Sequence, residues 1–367
     1  MEPGHEVRDG PLPDVAQLVG ELTRRADPRR LRRDVEFLAD RPRGRIHAPE
    51  AMVRAETHVA RELAAAGWRT ERHPFDVRWR PGCTDRPGGR PSPARFRLHR
   101  RLTGANLLAT PEGPAAGEDR PHVLVGAHLD TVRGSPGADD NASGVAALLE
   151  IARLLGGLPR PPAVTLACFD MEELGCVGSR VEARELRRAR RVGGMICLES
   201  VGCFATGPGT QALPPGFGAV FPRVAASVRE SGLRGDFTLV VHRRSSDGAA
   251  DLWRRAAGAT TPALPVVTLR DPRPDGPLGA LAGLVLPPVN HLGRSDHAAF
   301  WNARIPAVML TGTANFRNPH YHRPTDTPDS VDPLRLTAVA VATAVTAVCW
   351  RPGTRLGGGN GTADLPW

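Results

Sequence analysis

Lysine is absent from the 367 residues, so every one of the 48 residues in the Lys+Arg count is arginine. With plentiful Ala, Gly and Pro, this usage fits the codon bias of a GC-rich genome. The formal net charge is +9, which favours acidic partners or nucleic acid only where the charge is focused on one surface. No focus is visible. The runs Arg24, Arg25, Arg29, Arg30, Arg32, Arg33 and Arg184, Arg187, Arg188, Arg190, Arg191 alternate with Ala, Leu and Glu at helical spacing. They read as solvated helix faces, and no nucleic-acid partner is expected.

Other absences narrow the class further. The six cysteines form no CxxC pair or regular framework, so a reduced state is expected. The opening MEPGHEVRDGPLPD has no apolar core of the secretory type, which predicts a cytoplasmic chain. The apolar stretch Leu334–Trp350 contains Arg335 and several Thr and falls short of the ~20 residues of a bilayer span. It reads as a buried C-terminal helix, and no membrane partner is expected. Oligomeric state is left open.

What remains is ordinary globular material, 41% hydrophobic and 24% charged. Apolar residues recur every three or four positions over Val15–Leu38 and Pro49–Gly67, which predicts two amphipathic helices. Residues 80–101 are rich in Pro, Gly and Arg and read as a loop insertion. The centre alternates between apolar runs (His122–Ala127, Ala163–Phe169, Gly194–Leu198) and helical stretches, one of them Ser143–Leu155. That rhythm predicts an α/β fold with a mixed, mainly parallel central sheet and helices on both faces, as a single domain over residues 13–350. Residues 204–292 are Pro/Gly-rich with one helix over Phe221–Ser231, a candidate lid and pocket wall. A last strand is expected at Ala307–Thr311. Residues 1–12 and 351–367 are expected to be flexible.

In parallel sheets, sites form where strands end, and the titratable residues cluster there. VGAHLDTVRGSPGADDNASG puts His128 and Asp130 on one side of an extended segment, so one can bind a metal while the other fixes the ring. Asp139, Asp140 and Asn141 follow at a helix start, where a cap explains one carboxylate and a metal bridge explains another. CFDMEELGCVGS sets Glu172 beside Glu173, so that one can ligate while the other handles a proton. MICLESVG places Glu199 at a third strand end. GRSDHAAFW and NPHYHRPTDTPDSVD bring His320, Tyr321, the chain's only tyrosine, and His322 into one polar stretch.

In this order, HLD, GADDNASG, EELGCVGS, LES, SDHAAFW and YHRPTDTPDSVD resemble the signature blocks of the co-catalytic zinc aminopeptidase family. That family also includes glutamate carboxypeptidases and is related to glutaminyl cyclases. The likeness runs from about Asn106 to Asp332. It implies two Zn2+ per chain, one on His128 and Glu199, the other on Glu173 and His322, with Asp140 bridging. Many relatives carry aspartate where Glu199 stands.

The resemblance further implies that Glu172 is the general base, that Asp130 orients His128, and that Tyr321 polarises the substrate carbonyl. His320 is a rival ligand that the YHxxxDT frame disfavours. A cis Asp140–Asn141 peptide is also implied. The expected activity is removal of N-terminal amino acids from a peptide or small amide. Two alternatives are a glutaminyl cyclase-like aminoacyl transferase, using one zinc, and a catalytically inactive binding module, which retention of every ligand argues against. Arg294 and Arg317 are candidates to meet an acidic side chain or terminal carboxylate.

Overall fold

The computed structural model describes residues 14–84, 96–113, 121–282 and 287–352. The flexible ends expected at 1–12 and over most of 351–367 lie outside these residues. The chain opens with α1 (Val15–Arg25) and α2 (Pro28–Leu38), not with one helix. Asp27 caps the second by accepting the Arg29 N–H at 2.9 Å, and Pro28 occupies its first position. That combination starts a helix where periodicity alone ran through. α3 (Pro49–Ala65) then stops at Gly67, whose φ of +80° favours glycine.

β1 (Trp68–Cys83) and β2 (Phe96–Pro111) form a long antiparallel ribbon, so the expected loop at 80–101 is corrected. Arg80–Cys83 pair with Phe96–His99 inside the ribbon. The Pro, Gly and Arg content that suggested a loop marks a ribbon end with one face open, where Pro81, Phe96 and Leu98 are exposed while Gly82 and His99 are buried, and 85–95 lie outside the described residues.

The core follows as β3 (His122–His128), α4 (Gly144–Gly156), β4 (Val164–Phe169), α5 (Val177–Ala189) and β5 (Val192–Glu199). Next come α6 (Phe217–Val220), α7 (Pro222–Glu230), β6 (Thr238–His242), α8 (Asp247–Gly258), β7 (Val266–Arg270) and α9 (Pro277–Ala282). α10 (His297–Asn302), β8 (Ala307–Thr311) and α11 (Pro333–Cys349) complete it.

All eight strands make one mixed sheet in the order β1-β2-β4-β3-β5-β8-β6-β7. The four central strands, β4, β3, β5 and β8, run parallel; β2 and β6 flank them antiparallel. Alternation along each strand feeds two apolar layers. Val123, Val125, Ile196 and Leu198 face α1–α4, α8 and α11, whereas Leu124, Met195 and Cys197 face α5, α7 and α10. Burial on both sides is why the central strands read as unbroken apolar runs.

Residues 204–292 are built into the sheet itself. They add β6 and β7 to the sheet and pack α8 behind it. The runs Thr238–His242 and Val266–Arg270 are too short for periodicity to reveal among Pro and Gly. Among the described residues no helix is long and apolar enough to cross a membrane.

Candidate metal centre

Parallel pairing of β3, β4 and β5 brings their carboxyl ends to one edge, and the chemistry collects there. His128 is the last residue of β3 and Glu199 the last of β5. Glu172 and Glu173 occupy the turn after β4, Asp140 the turn before α4, and His322 the segment after β8. All five candidate ligands are buried.

Two clusters result, His128–Asp140–Glu199 and Asp140–Glu173–His322, each with ligand atoms within 4.8 Å of one another. His128 Nε2 lies 3.2 Å from Asp140 Oδ1 and 3.4 Å from Glu199 Oε2. His322 Nε2 lies 2.9 Å from Asp140 Oδ2 and 3.1 Å from Glu173 Oε1. Ligands ~2.0–2.1 Å from a tetrahedral ion are themselves separated by about 3.3 Å, so these spacings fit a shared cation. Asp140 gives one oxygen to each cluster, and its peptide bond to Asn141 is cis.

The fit is tested by the polar atoms left over. His128 Nε2, Asp140 Oδ2 and Glu173 Oε1 are buried with no hydrogen-bond partner, a costly state in a folded interior unless something else binds them. His128 Nδ1 donates to the Asp130 backbone carbonyl at 3.0 Å. A carbonyl can only accept, so in the neutral ring Nε2 keeps its lone pair towards the cluster. Nitrogen and oxygen donors of this kind suit zinc.

Electrostatics agree with that reading. Burial would lower the His322 pKa, but Glu173 and Asp140 outweigh it and raise it to about 10. Burial likewise opposes protonation of His128, and Asp130, Asp140 and Glu199 override it. Burial works against the Asp140 charge, yet the adjoining His128 and His322 rings hold its carboxyl well below the usual range. The two histidines are thus drawn towards positive charge where a cation would otherwise balance the carboxylates.

Glu172 stands outside both clusters, with Cys176 Sγ 3.3 Å from its Oε1. Burial, then the nearby carboxylates Glu199 and Glu173, raise its pKa well above 4.5, while His128 opposes them. Asp130 does more than face the His128 ring. Its Oδ1 lies 3.6 Å from Nδ1, while its two oxygens accept the N–H groups of Glu172 and Glu173 at 3.0 and 3.1 Å. Asp130 thus holds the histidine through its backbone carbonyl and the Glu172–Glu173 turn through its carboxylate.

His320 joins neither cluster; its Nδ1 lies 2.9 Å from Thr325 Oγ1. The ring of Tyr321 stacks on His322, centroids 3.9 Å apart.

Tyr321 and Glu199 also wall an apolar pocket of about 820 Å³ including its mouth. Phe217 precedes α7, Val228 lies on it, and Leu239, Val267 and Leu269 come from β6 and β7. Most of the residues that line the pocket come from the 204–292 stretch. Arg294 lines the pocket and donates to Asn315 Oδ1 at 3.0 Å. Arg317 does not line it; its guanidinium donates to Gln211 Oε1 and the Cys203 carbonyl and sits over Phe237.

Several supporting residues had no role in the sequence reading, and Asp139, a candidate helix cap there, makes no side-chain cap bond. Asp326 accepts the amides of Asp139 and Asp140. Asp139 Oδ1 accepts those of Gly202 and Cys203, and its Oδ2 accepts from Asn318. Ser295 Oγ donates to Glu199 Oε2 at 2.7 Å. Buried Arg43 donates to the carbonyls of Leu38, Leu129 and Pro136. The carboxylates at 139 and 326 and the serine lie within the signature blocks. Arg43 carries no such signal in so arginine-rich a chain.

The family description Peptidase family M28 matches residues 106–222 and 280–347, just over half of the chain, and the chain belongs to that family. Uncharacterized protein YfbL of Escherichia coli (strain K12) is 35% identical over 241 residues, 62% of this chain and 65% of that protein. The chain thus matches under two thirds of that relative's length. Among solved structures, BSAP, a zinc aminopeptidase from Bacillus subtilis, aligns with a TM-score of 0.59 at 14% identity, over 87% of this chain and 94% of that one. A glutaminyl cyclase from Fimbriiglobus ruber aligns with a TM-score of 0.53 at 20% identity, over 89% and 96%. At these identities the likeness to both is one of fold.

Proposed function

We propose that the protein is a two-zinc aminopeptidase that releases N-terminal residues with apolar side chains. The observation that carries this reading is Asp140 shared between two buried ligand clusters, with Glu172 beside them and bound to neither. His128 and Glu199 would hold one ion, Glu173 and His322 the other, and Asp140 both. Zinc held there polarises a carbonyl and makes water acidic enough to attack it near neutral pH.

The chain's own groups supply the remaining steps. Glu172 takes the proton of the attacking water and delivers it to the leaving amine, a role suited to a carboxylate whose proton affinity burial has raised. Asp130 keeps that carboxylate in place by accepting the Glu172 N–H. Tyr321, at the pocket wall, donates a hydrogen bond to the carbonyl oxygen as negative charge grows on it. The pocket beside Glu199 and Tyr321 takes the side chain of the departing residue, and its Phe, Val and Leu walls favour apolar ones.

Digestion of an untargeted peptide library, read by mass spectrometry beside elemental analysis, tests the reading. Loss of single apolar residues from amino ends, with two zinc ions per chain, is expected. Pyroglutamate formed from N-terminal Gln with one ion would place the chain with the cyclases. A chain that neither holds nor rebinds metal would be a binding module.

A further inference from the structure

Residues 80–101 had no assignable chemistry in the sequence, and the outer half of the ribbon lies outside the stretches matched to the family. Register gives it a shape. Pro81 pairs with Leu98 and Cys83 with Phe96, and side chains two apart share a face. Trp79, Pro81, Phe96 and Leu98 therefore form one stripe. Trp79 is 61% exposed, Phe96 74% and Leu98 56%.

Among the described residues these are three of the eight exposed large hydrophobics, and the only three gathered on one element pair. A gathered apolar surface calls for a partner, whereas scattered ones do not.

Charge indicates what that partner is. The stretches 77–84 and 96–103 contain five arginines and no carboxylate. Arg101 is paired with Asp76, while Arg100 lies over the Trp79 ring at 5.7 Å and Arg97, opposite Gly82, is exposed on the ribbon's other face. Behind the ribbon, Arg80 faces Arg180 and Arg184 of α5; burial and then these two like charges lower its pKa. A second copy of the chain docked here would set arginine against arginine, which disfavours self-association.

We propose that this end of the ribbon is a docking surface for an anionic lipid bilayer, with Trp79, Phe96 and Leu98 entering the interface and Arg97 and Arg100 meeting headgroups. Aromatic and aliphatic side chains flanked by arginine are the composition that lies in a membrane interface without spanning it. Single-stranded nucleic acid shares the charge requirement but gains affinity by stacking bases on aromatic rings. Pro81 and Leu98 offer no ring face, whereas acyl chains accept all four side chains. The ribbon is tied to the site as well, because the Cys83 N–H donates to the carbonyl of Leu174, next to Glu173, at 3.0 Å. Docking would hold the catalytic turn beside the bilayer.

The test is co-sedimentation of the zinc-loaded full chain with vesicles of phosphatidylcholine alone or mixed with phosphatidylglycerol. Binding to the mixed vesicles should be stronger by about tenfold or more and weaken as salt rises. Trp79→Ser/Phe96→Ser/Leu98→Ser and Arg97→Glu/Arg100→Glu should each abolish that preference, while hydrolysis of a soluble peptide and Tm stay unchanged. Equal binding to both vesicle types, or variants that bind as the wild type does, would overturn the proposal. So would an oligonucleotide that binds the same surface while the anionic vesicles do not.

Discussion

Asp326 holds Asp140 from 186 residues away in the chain, its Oδ2 accepting the Asp140 amide at 3.1 Å while Oδ1 accepts that of Asp139 at 3.2 Å. The turn that carries the shared carboxylate is thus fixed by a residue that belongs to neither ligand cluster. Replacing Asp326 with Ala frees both amides and lets Asp140 drift. Zinc affinity should fall by about 10–100-fold, the usual loss when a group supporting a ligand is removed. Competition with a chelator of known affinity measures this, and a Tm close to wild type would separate it from unfolding. Unchanged affinity would mean that the turn holds itself.

Glu172 and Glu173 are adjacent, yet only Glu173 enters a cluster. Glu172→Gln keeps size and polarity but removes the base, so turnover should fall by at least ~10²–10⁴-fold with metal content near normal. Glu173→Ala deletes a ligand oxygen and should release one ion. Zinc content and peptide hydrolysis of both variants, measured side by side, decide the matter. Metal lost from Glu172→Gln and kept by Glu173→Ala would swap the two roles.

How much of this was legible from sequence depended on whether a feature is local. His128 and Glu199 end strands that apolar runs mark and Glu173 follows another closely, while the paired acids, Asp140 among them, and the His-Tyr-His stretch stand out by residue type. Strands β6 and β7 were hidden because five-residue strands among Pro and Gly carry no readable period. The ribbon was hidden because its outer half buries only a glycine and a histidine, Gly82 and His99, so no apolar alternation marks its inner face. Asp326 and Arg43 act through backbone groups far off in sequence, and no spacing announces such a bond. The split between α1 and α2 was readable at Asp27-Pro28, where capping chemistry outranks periodicity.

The apolar pocket makes side-chain preference testable. Val267, on β7, lines it, and a larger residue there takes up the space a leucine or phenylalanine side chain needs. Val267→Trp should lower kcat/KM for an N-terminal Leu substrate relative to an N-terminal Ala one by about tenfold or more, since single methylenes already discriminate by ~10–200-fold. Metal content should not change. If both substrates lose rate equally, the pocket does not hold the departing residue's side chain.

A buried ion network ties the amino-terminal helices to the core and sets a pH dependence remote from the metal centre. Arg153 of α4 donates to Asp34 of α2 at 2.6 Å and to Glu62 of α3 at 2.9 Å, and His58 of α3 lies 3.2 Å from Asp34. Burial pushes the Asp34 pKa up, but hydrogen bonds from His58 and Arg153 outweigh it and hold it below 3.8. A carboxyl depressed in the folded state stabilises it fully above the unfolded pKa, and the contribution fades as pH falls through the folded one. Asp34→Asn should therefore cost about 1.5–3 kcal/mol at neutral pH, the range for hydrogen bonds to charged groups. The gap to wild type should hold down to the unfolded pKa of ~3.9 and narrow below it, where wild-type Asp34 also becomes neutral. Urea unfolding of both proteins from pH 7 to pH 3 measures this. A gap that stays constant across the whole range would show that Asp34 acts through packing and not through its charge.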